Sequence, residues 1–384
     1  MAASYNLISG DTHLEIANER WTHRVEPKFR DRAPRTVRLD DGADATVFEN
    51  MPPRQNTFDL YGGKGRDIWI PARASYDAIH GTGSAKQRVE EQKRDGIDAE
   101  IMFPGVVCGP LLWLNTKDHA LQAALNTAWN RWFAEEYEPD AKGRIFGIAT
   151  LPGTNTEDCI AEMKRAKELG FAGVQLLKFP NGGGRPKPED DRFWAASLDL
   201  DMPVTIHFTL EDTGAPDGKL LDYPIEVPYL RTELAKQMTR AARFAGTNAV
   251  QLVLSGLFDR FPKLRIFCAE TSIGWVPHFL EVADVRYERH IPWAERLNGV
   301  KPLKAKPSEI INEHFYWGFQ KDRAGVDLRH HLNVNRLIWS NDFPHQESDW
   351  PDSDKVLEKN FAGVPEADVK RMVVDNAREF FKLP

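Results

Sequence analysis

The chain has 384 residues, 41% hydrophobic and 28% charged, a composition that excludes wholesale disorder and collagen-like repeats and fits one large domain or two. With 50 Lys and Arg against 57 Asp and Glu, the formal charge is −7 and no basic block stands out, so nothing points to a nucleic-acid partner. No apolar run approaches the roughly 20 residues that span a bilayer. The first residues lack the basic start and apolar core of a secretory signal, and Cys108, Cys159 and Cys268 form no CxxC pair. The expectation is a soluble cytoplasmic protein with no membrane partner.

Tyr5-Asn6-Leu7-Ile8-Ser9-Gly10 runs into Asp11-Thr12-His13-Leu14-Glu15-Ile16, which predicts a short buried strand with polar residues at its C-terminal end. Residues 18–85 are rich in Arg, Asp, Pro and Gly with weak periodicity, and are expected to form a long, partly helical insertion acting as a lid or interface. From residue 86 a rhythm sets in. A helix over 86–95 precedes a second strand, Ile97–Phe103. Apolar residues at 121, 124, 125, 128, 129, 132 and 133 then mark one face of a helix, followed by a third strand over 143–149. Thr154 with Glu157 predicts a capping box opening a helix to Leu169, and 171–177 is the fourth strand. After a helix over 193–200 comes a fifth strand, 203–208. Helices over 231–245 and 247–260 precede a sixth, 264–270. A helix over 275–289 leads to a seventh, 315–319; an eighth follows at 336–341, and two closing helices end near Phe381.

Eight apolar strands alternating with amphipathic helices predict an α/β fold, a (β/α)8 TIM barrel formed by residues 1–384 as a single domain with the insertion after strand one. Asn181-Gly182-Gly183-Gly184 reads as a flexible loop or, alternatively, as a phosphate cradle. Active sites of such barrels lie at the C-terminal strand ends, which carry Asp11, His13, Lys178, His207, Glu270 and Asp342. Asp11, His13 and Glu15 alternate and so can face one side of a strand. Buried polar groups need partners, and two carboxylates with two imidazoles make a donor set suited to one divalent ion. The competing reading is a salt-bridged polar rim without metal.

The motifs Ile8-Ser9-Gly10-Asp11-Thr12-His13, Arg94-Asp95-Gly96-Ile97-Asp98, Gly170–Gln175, Val204-Thr205-Ile206-His207, Phe261-Pro262-Lys263-Leu264 and Trp339-Ser340-Asn341-Asp342-Phe343-Pro344-His345 resemble the amidohydrolase superfamily. The branch they resemble contains aminocarboxymuconate-semialdehyde decarboxylase and γ-resorcylate decarboxylase. The resemblance covers the first 16 residues and 86–384. It implies a metal-dependent barrel in which His13, His207 and Asp342 match ligand positions, with Asp11 as the fourth ligand and Glu15 its competitor. The ion would be Zn2+ in preference to Mn2+. Several family decarboxylases carry a histidine after strand six, where this chain has Glu270, the expected general acid/base, with Asp342 able to accept a proton as well.

His345, Lys178, Trp113 and Trp275 are candidate substrate-binding residues. The leading expectation is a metal-dependent hydrolase that uses a metal-activated water on a small organic acid, amide, ester or lactone, cyclic and aromatic ones included. The alternative is a non-oxidative decarboxylase of an aromatic or unsaturated carboxylic acid on the same site. A catalytically silent binding protein is a reading from another class. A homodimer would suit a barrel of this size, although no motif specifies one.

Overall fold

The computed structural model describes residues 5–55, 63, 65, 75–76, 80–105, 109–114, 116–210 and 245–384. The expected helix over 231–245 falls almost wholly outside them, as does Cys108. In chain order the strands are β1 (Ile8–Leu14), β2 (Arg35–Arg38), β3 (Asp44–Val47), β4 (Arg54–Gln55), β5 (Ala99–Pro104), β6 (Ile145–Thr150), β7 (Gly173–Leu176), β8 (Val204–His207), β9 (Ile266–Ala269), β10 (Phe315–Phe319) and β11 (Leu337–Trp339). The α-helices are α1 (Ala85–Arg94), α2 (His119–Trp132), α3 (Thr156–Leu169), α4 (Asp191–Asp199), α5 (Ala245–Leu254), α6 (Leu257–Arg260) and α7 (Val276–Asn298). They continue with α8 (Pro307–His314), α9 (Arg323–Asp327), α10 (Ser353–Asn360), α11 (Glu366–Lys370) and α12 (Asn376–Phe381).

Eight strands form one sheet in the order β1-β5-β6-β7-β8-β9-β10-β11, with helices between them: the (β/α)8 barrel that the alternation predicted. All eight fall where apolar runs stand in the sequence. No described helix is long and apolar enough to cross a membrane.

The chain divides into two compact units. The first comprises 1–152, 161–175 and 339–384. Here β1 pairs parallel with β5, and the register shifts between Ser9 and Thr12, a bulge beside Asp11. The insertion is partly helical, as expected, and adds a small sheet that its sequence did not suggest. Its described part is three short 3₁₀ turns and an antiparallel sheet of β2, β3 and β4, with no α-helix before α1. Trp21 from this segment is fully buried, its ring 5.3 Å from Trp113 and 5.5 Å from Trp129.

The second unit comprises 153–160 and 176–338, where β8 pairs with β9 and β9 with β10. Its core includes Trp317, 5.7 Å from Phe315 and 5.5 Å from Trp275. The capping box shifts by one residue: Asn155 Oδ1 accepts from the Asp158 amide at 2.9 Å, while Thr154 Oγ1 donates to the Asp158 carboxylate. The helix over 275–289 extends to Asn298, closed by Gly299 in the left-handed region that favours glycine. The Gly182–Gly184 loop is a tied turn and not a phosphate cradle. The Gly182 and Gly183 amides are engaged, with Phe179 O and Asn181 Oδ1, and a side chain at Gly182 would strike the Thr154 carbonyl.

Candidate metal centre

In the first unit, Asp11, His13 and Glu15 from β1 and its exit, with Asp342 and His345 just after β11, are all buried. Two backbone hydrogen bonds set their relative height, the Asp342 amide donating to Asp11 O (3.1 Å) and the His13 amide to Phe343 O (2.9 Å). His13 Nε2 lies 3.4 Å from Asp11 Oδ1 and 3.3 Å from Asp342 Oδ1. Its Nδ1 faces the Pro104 carbonyl at 3.3 Å. A carbonyl only accepts, so Nδ1 carries the proton, and a neutral ring then turns its Nε2 lone pair toward two carboxylates. Only a cation or a second proton makes that arrangement favourable. Neither Asp342 oxygen has a hydrogen bond of good geometry, although both are buried and imidazole nitrogens stand close by. Ligand atoms of His13, Asp342 and His345 lie within 4.8 Å of one another. The carboxylates of Asp11 and Asp342 with the Nε2 of His13 make a donor set whose chemistry fits a divalent ion.

His345 stacks on His13, ring centroids 3.9 Å apart, and both its nitrogens face carboxylates: Nδ1 is 3.2 Å from Asp342 Oδ1 and Nε2 3.3 Å from Glu15 Oε1. Burial works against its charge, but Asp342 and Glu15 outweigh burial and hold the imidazole protonated well above its usual range. Burial likewise opposes the charge on Asp342, while the charged His345 beside it keeps its carboxyl well below the usual range. Glu15 is thus engaged by His345, whereas Asp11 faces His13.

The second unit holds His207, the last residue of β8, and Glu270, the first beyond β9, with His207 Nε2 3.7 Å from Glu270 Oε2. Phe208 (φ 61°), Glu270 (φ 55°) and Ser272 (φ 55°) are left-handed, as is Asp342 (φ 52°) in the first unit. Non-glycine residues rarely adopt this conformation, and its cost concentrates at functional positions. The loop after Glu270 is tied down, with Asp322 accepting from the amides of Ile273 (2.6 Å) and Gly274 (2.7 Å). The Thr271 amide bonds Gly318 O at 3.0 Å.

Lys178 is buried two residues beyond β7. Trp275 donates its indole N–H to Thr271 O at 2.8 Å and packs edge-on against Trp317. Trp113 is fully buried against Trp21, its N–H on Asn126 Oδ1, which makes it a core residue of the first unit. Sequence reasoning missed Arg88, whose buried guanidinium donates to Phe343 O, and gave Asp95 no role although its carboxylate holds Asn341 beside Asp342. An arginine within a helix and an Asp-Gly at a helix end carry no sign of such distant partners.

The amidohydrolase family model matches residues 84–383. Decarboxylase orsB of Emericella nidulans is 24% identical over 210 residues, which span 54% of this chain and 60% of that protein. γ-Resorcylate decarboxylase of Polaromonas sp. JS666 is 25% identical over 254 residues, 62% of this chain and 71% of its own length. Among solved structures, 5-carboxyvanillate decarboxylase from Novosphingobium aromaticivorans, complexed with manganese and 4-hydroxy-3-methoxy-5-nitrobenzoic acid, superposes with a TM-score of 0.66. It is 18% identical and the alignment covers 99% of this chain and 97% of that one, a likeness of fold.

Proposed function

The chain belongs to the amidohydrolase family, and from that premise we propose that it is a metal-dependent decarboxylase of an aromatic carboxylic acid. The preference reverses the order in which the sequence ranked hydrolysis and decarboxylation, because the relatives named above are decarboxylases. The manganese in one of them likewise removes the preference for zinc. The observation that carries the reading is the Nε2 of His13 turned toward the carboxylates of Asp11 and Asp342.

Asp11, His13 and Asp342 would hold the ion, with His207, the last residue of β8, as the further ligand that the family resemblance implies. When bound, the ion supplies positive charge that orients the substrate carboxylate and a neighbouring oxygen. The proton on His13 Nδ1, kept there by Pro104 O, puts the ring lone pair on Nε2, the atom that would ligate. His345, charged between Asp342 and Glu15, braces both carboxylates and keeps Glu15 out of the ligand set. Glu270 acts as the acid. It gives its proton to the ring carbon that bears the carboxylate; the carbon–carbon bond breaks, CO2 leaves, and the electron pair returns to the ring. His207, 3.7 Å from Glu270, faces the carboxylate that results.

The test is CO2 release from γ-resorcylate and 5-carboxyvanillate by protein loaded with Mn2+ or Zn2+, run beside hydrolysis of aryl esters and lactones. Metal-dependent CO2 release supports the proposal. Hydrolysis without CO2 release restores the first expectation, and failure to retain any metal favours the silent binding protein.

A further inference from the structure

Helix α1 follows directly on the insertion, and its residue Arg88 is one of the largest fully buried side chains in the protein. Arg88 Nε donates to Glu100 Oε1 on β5 at 2.8 Å, and Nη2 donates to the Phe343 carbonyl at 2.9 Å. Its guanidinium also lies 4.4 Å from the centre of the Phe343 ring, and Trp350 stacks on that ring at 4.9 Å. Phe343 is therefore fixed at its carbonyl and on its ring. The same carbonyl accepts the amide of His13. One oxygen atom thus joins the guanidinium of α1, the backbone of a β1 ligand residue and the peptide that follows Asp342.

We propose that Arg88 is a positioning residue for the metal centre: by fixing the Phe343 carbonyl it sets the spacing of His13 and Asp342 and so sets metal affinity. The inference rests on the proposed function in that it takes His13 and Asp342 as ligands. Arg88 touches neither the ion nor the substrate. Its planar fork is what the geometry uses, because two N–H groups must reach Glu100 and Phe343 O at once while the flat face covers a ring. A lysine keeps the charge beside Glu100 but has no flat face and no fork. Groups that orient ligand residues at this remove typically change metal affinity roughly 10–100-fold when replaced.

The test measures Mn2+ affinity by calorimetric titration and the visible absorption of Co2+-loaded protein, for the wild type and Arg88→Lys. The apo melting temperature is measured alongside. Removing the guanidinium outright strands Glu100 in the core, so the second variant is the double replacement Arg88→Met with Glu100→Met, which leaves no unpaired buried charge. The expected result is Mn2+ binding weakened about 10-fold in Arg88→Lys and roughly 10–100-fold in the double variant, with an altered Co2+ spectrum in both. A purely structural role lowers the melting temperature and leaves the Mn2+ dissociation constant and the Co2+ spectrum at wild-type values. That outcome in either folded variant overturns the inference. A wild-type chain that takes up neither ion refutes the proposed function, and this inference with it.

Discussion

Asp95 closes α1, and its carboxylate accepts three hydrogen bonds: from the Ser353 amide (2.9 Å), the Ser353 hydroxyl (2.6 Å) and Asn341 Nδ2 (3.0 Å). It thereby caps α10, whose preceding residue Asp352 makes no side-chain cap of its own, and anchors the residue before Asp342. Asn341 in turn holds Ser9 through its Oδ1 and its amide. Asp95→Ala strands the Ser353 amide and Asn341 Nδ2 in the interior, while the Ser353 hydroxyl can rotate. At about 1–3 kcal/mol for each stranded donor, the expected loss is on the order of 4 kcal/mol. Asp95→Asn keeps an acceptor oxygen and is expected to lose about 1–2 kcal/mol. Burial raises the Asp95 pKa above 3.8, the Ser353 and Asn341 bonds offsetting it only in part. The folded state therefore binds a proton more tightly than the unfolded one, so stability falls as pH rises from about 4 through the raised value, and Asp95→Asn flattens that slope. Urea unfolding between pH 4 and 7 measures both effects, and hydrogen exchange at the Ser353 amide localises them. An Asp95→Ala protein within about 0.5 kcal/mol of wild type, with the Ser353 amide still protected, would refute the reasoning.

Asp342→Asn and His207→Ala are each expected to lower retained metal from about one ion per chain to a small fraction, read by elemental mass spectrometry after purification and again after titration with Mn2+; full occupancy removes the residue from the ligand set. Glu270→Gln keeps the ion and lowers CO2 release by roughly 10²–10⁴-fold, as loss of a general acid does, and an undiminished rate assigns the proton to another group. Asp190 is buried, and burial lifts its pKa from 3.8 to about 6 against the bonds from Lys187 and Asn181. Stability should therefore fall by about 3 kcal/mol as pH rises through that window, a slope that Asp190→Asn abolishes in urea titrations.

The barrel was legible because most strands of its sheet are apolar runs and helices such as α2 show one apolar face; α1, which buries Arg88, Glu91 and Gln92, is an exception. The strand-end positions of His207, Glu270 and Asp342 were legible for the same reason, since each follows or ends an apolar run. Alternation put Asp11 and His13 on one side, and the structure agrees at 3.4 Å. Glu15 was harder to read, because its distinction from Asp11 lies in His345, 330 residues away along the chain. Trp113 misled as a pocket wall: an aromatic residue in a loop after a strand looks the same whether it faces a ligand or Trp21. The sheet of β2, β3 and β4 escaped notice because its strands are short and half polar, Arg35-Thr36-Val37-Arg38 being nowhere buried. Arg88 and Asp95 act through carbonyls and amides, and a sequence does not display where its backbone groups point.

The tryptophan contact in the insertion has a dynamic consequence. To swing outward, the stretch around Trp21 would have to withdraw a fully buried indole from between Trp113 and Trp129. Emptying such a site costs about 3–5 kcal/mol, the scale measured when a buried tryptophan is cut back to alanine. An opened form would then be populated at roughly one molecule in a thousand. The N-terminal part of the insertion is therefore masonry in the first unit, and shortening the chain there would leave Trp113 and Trp129 facing water.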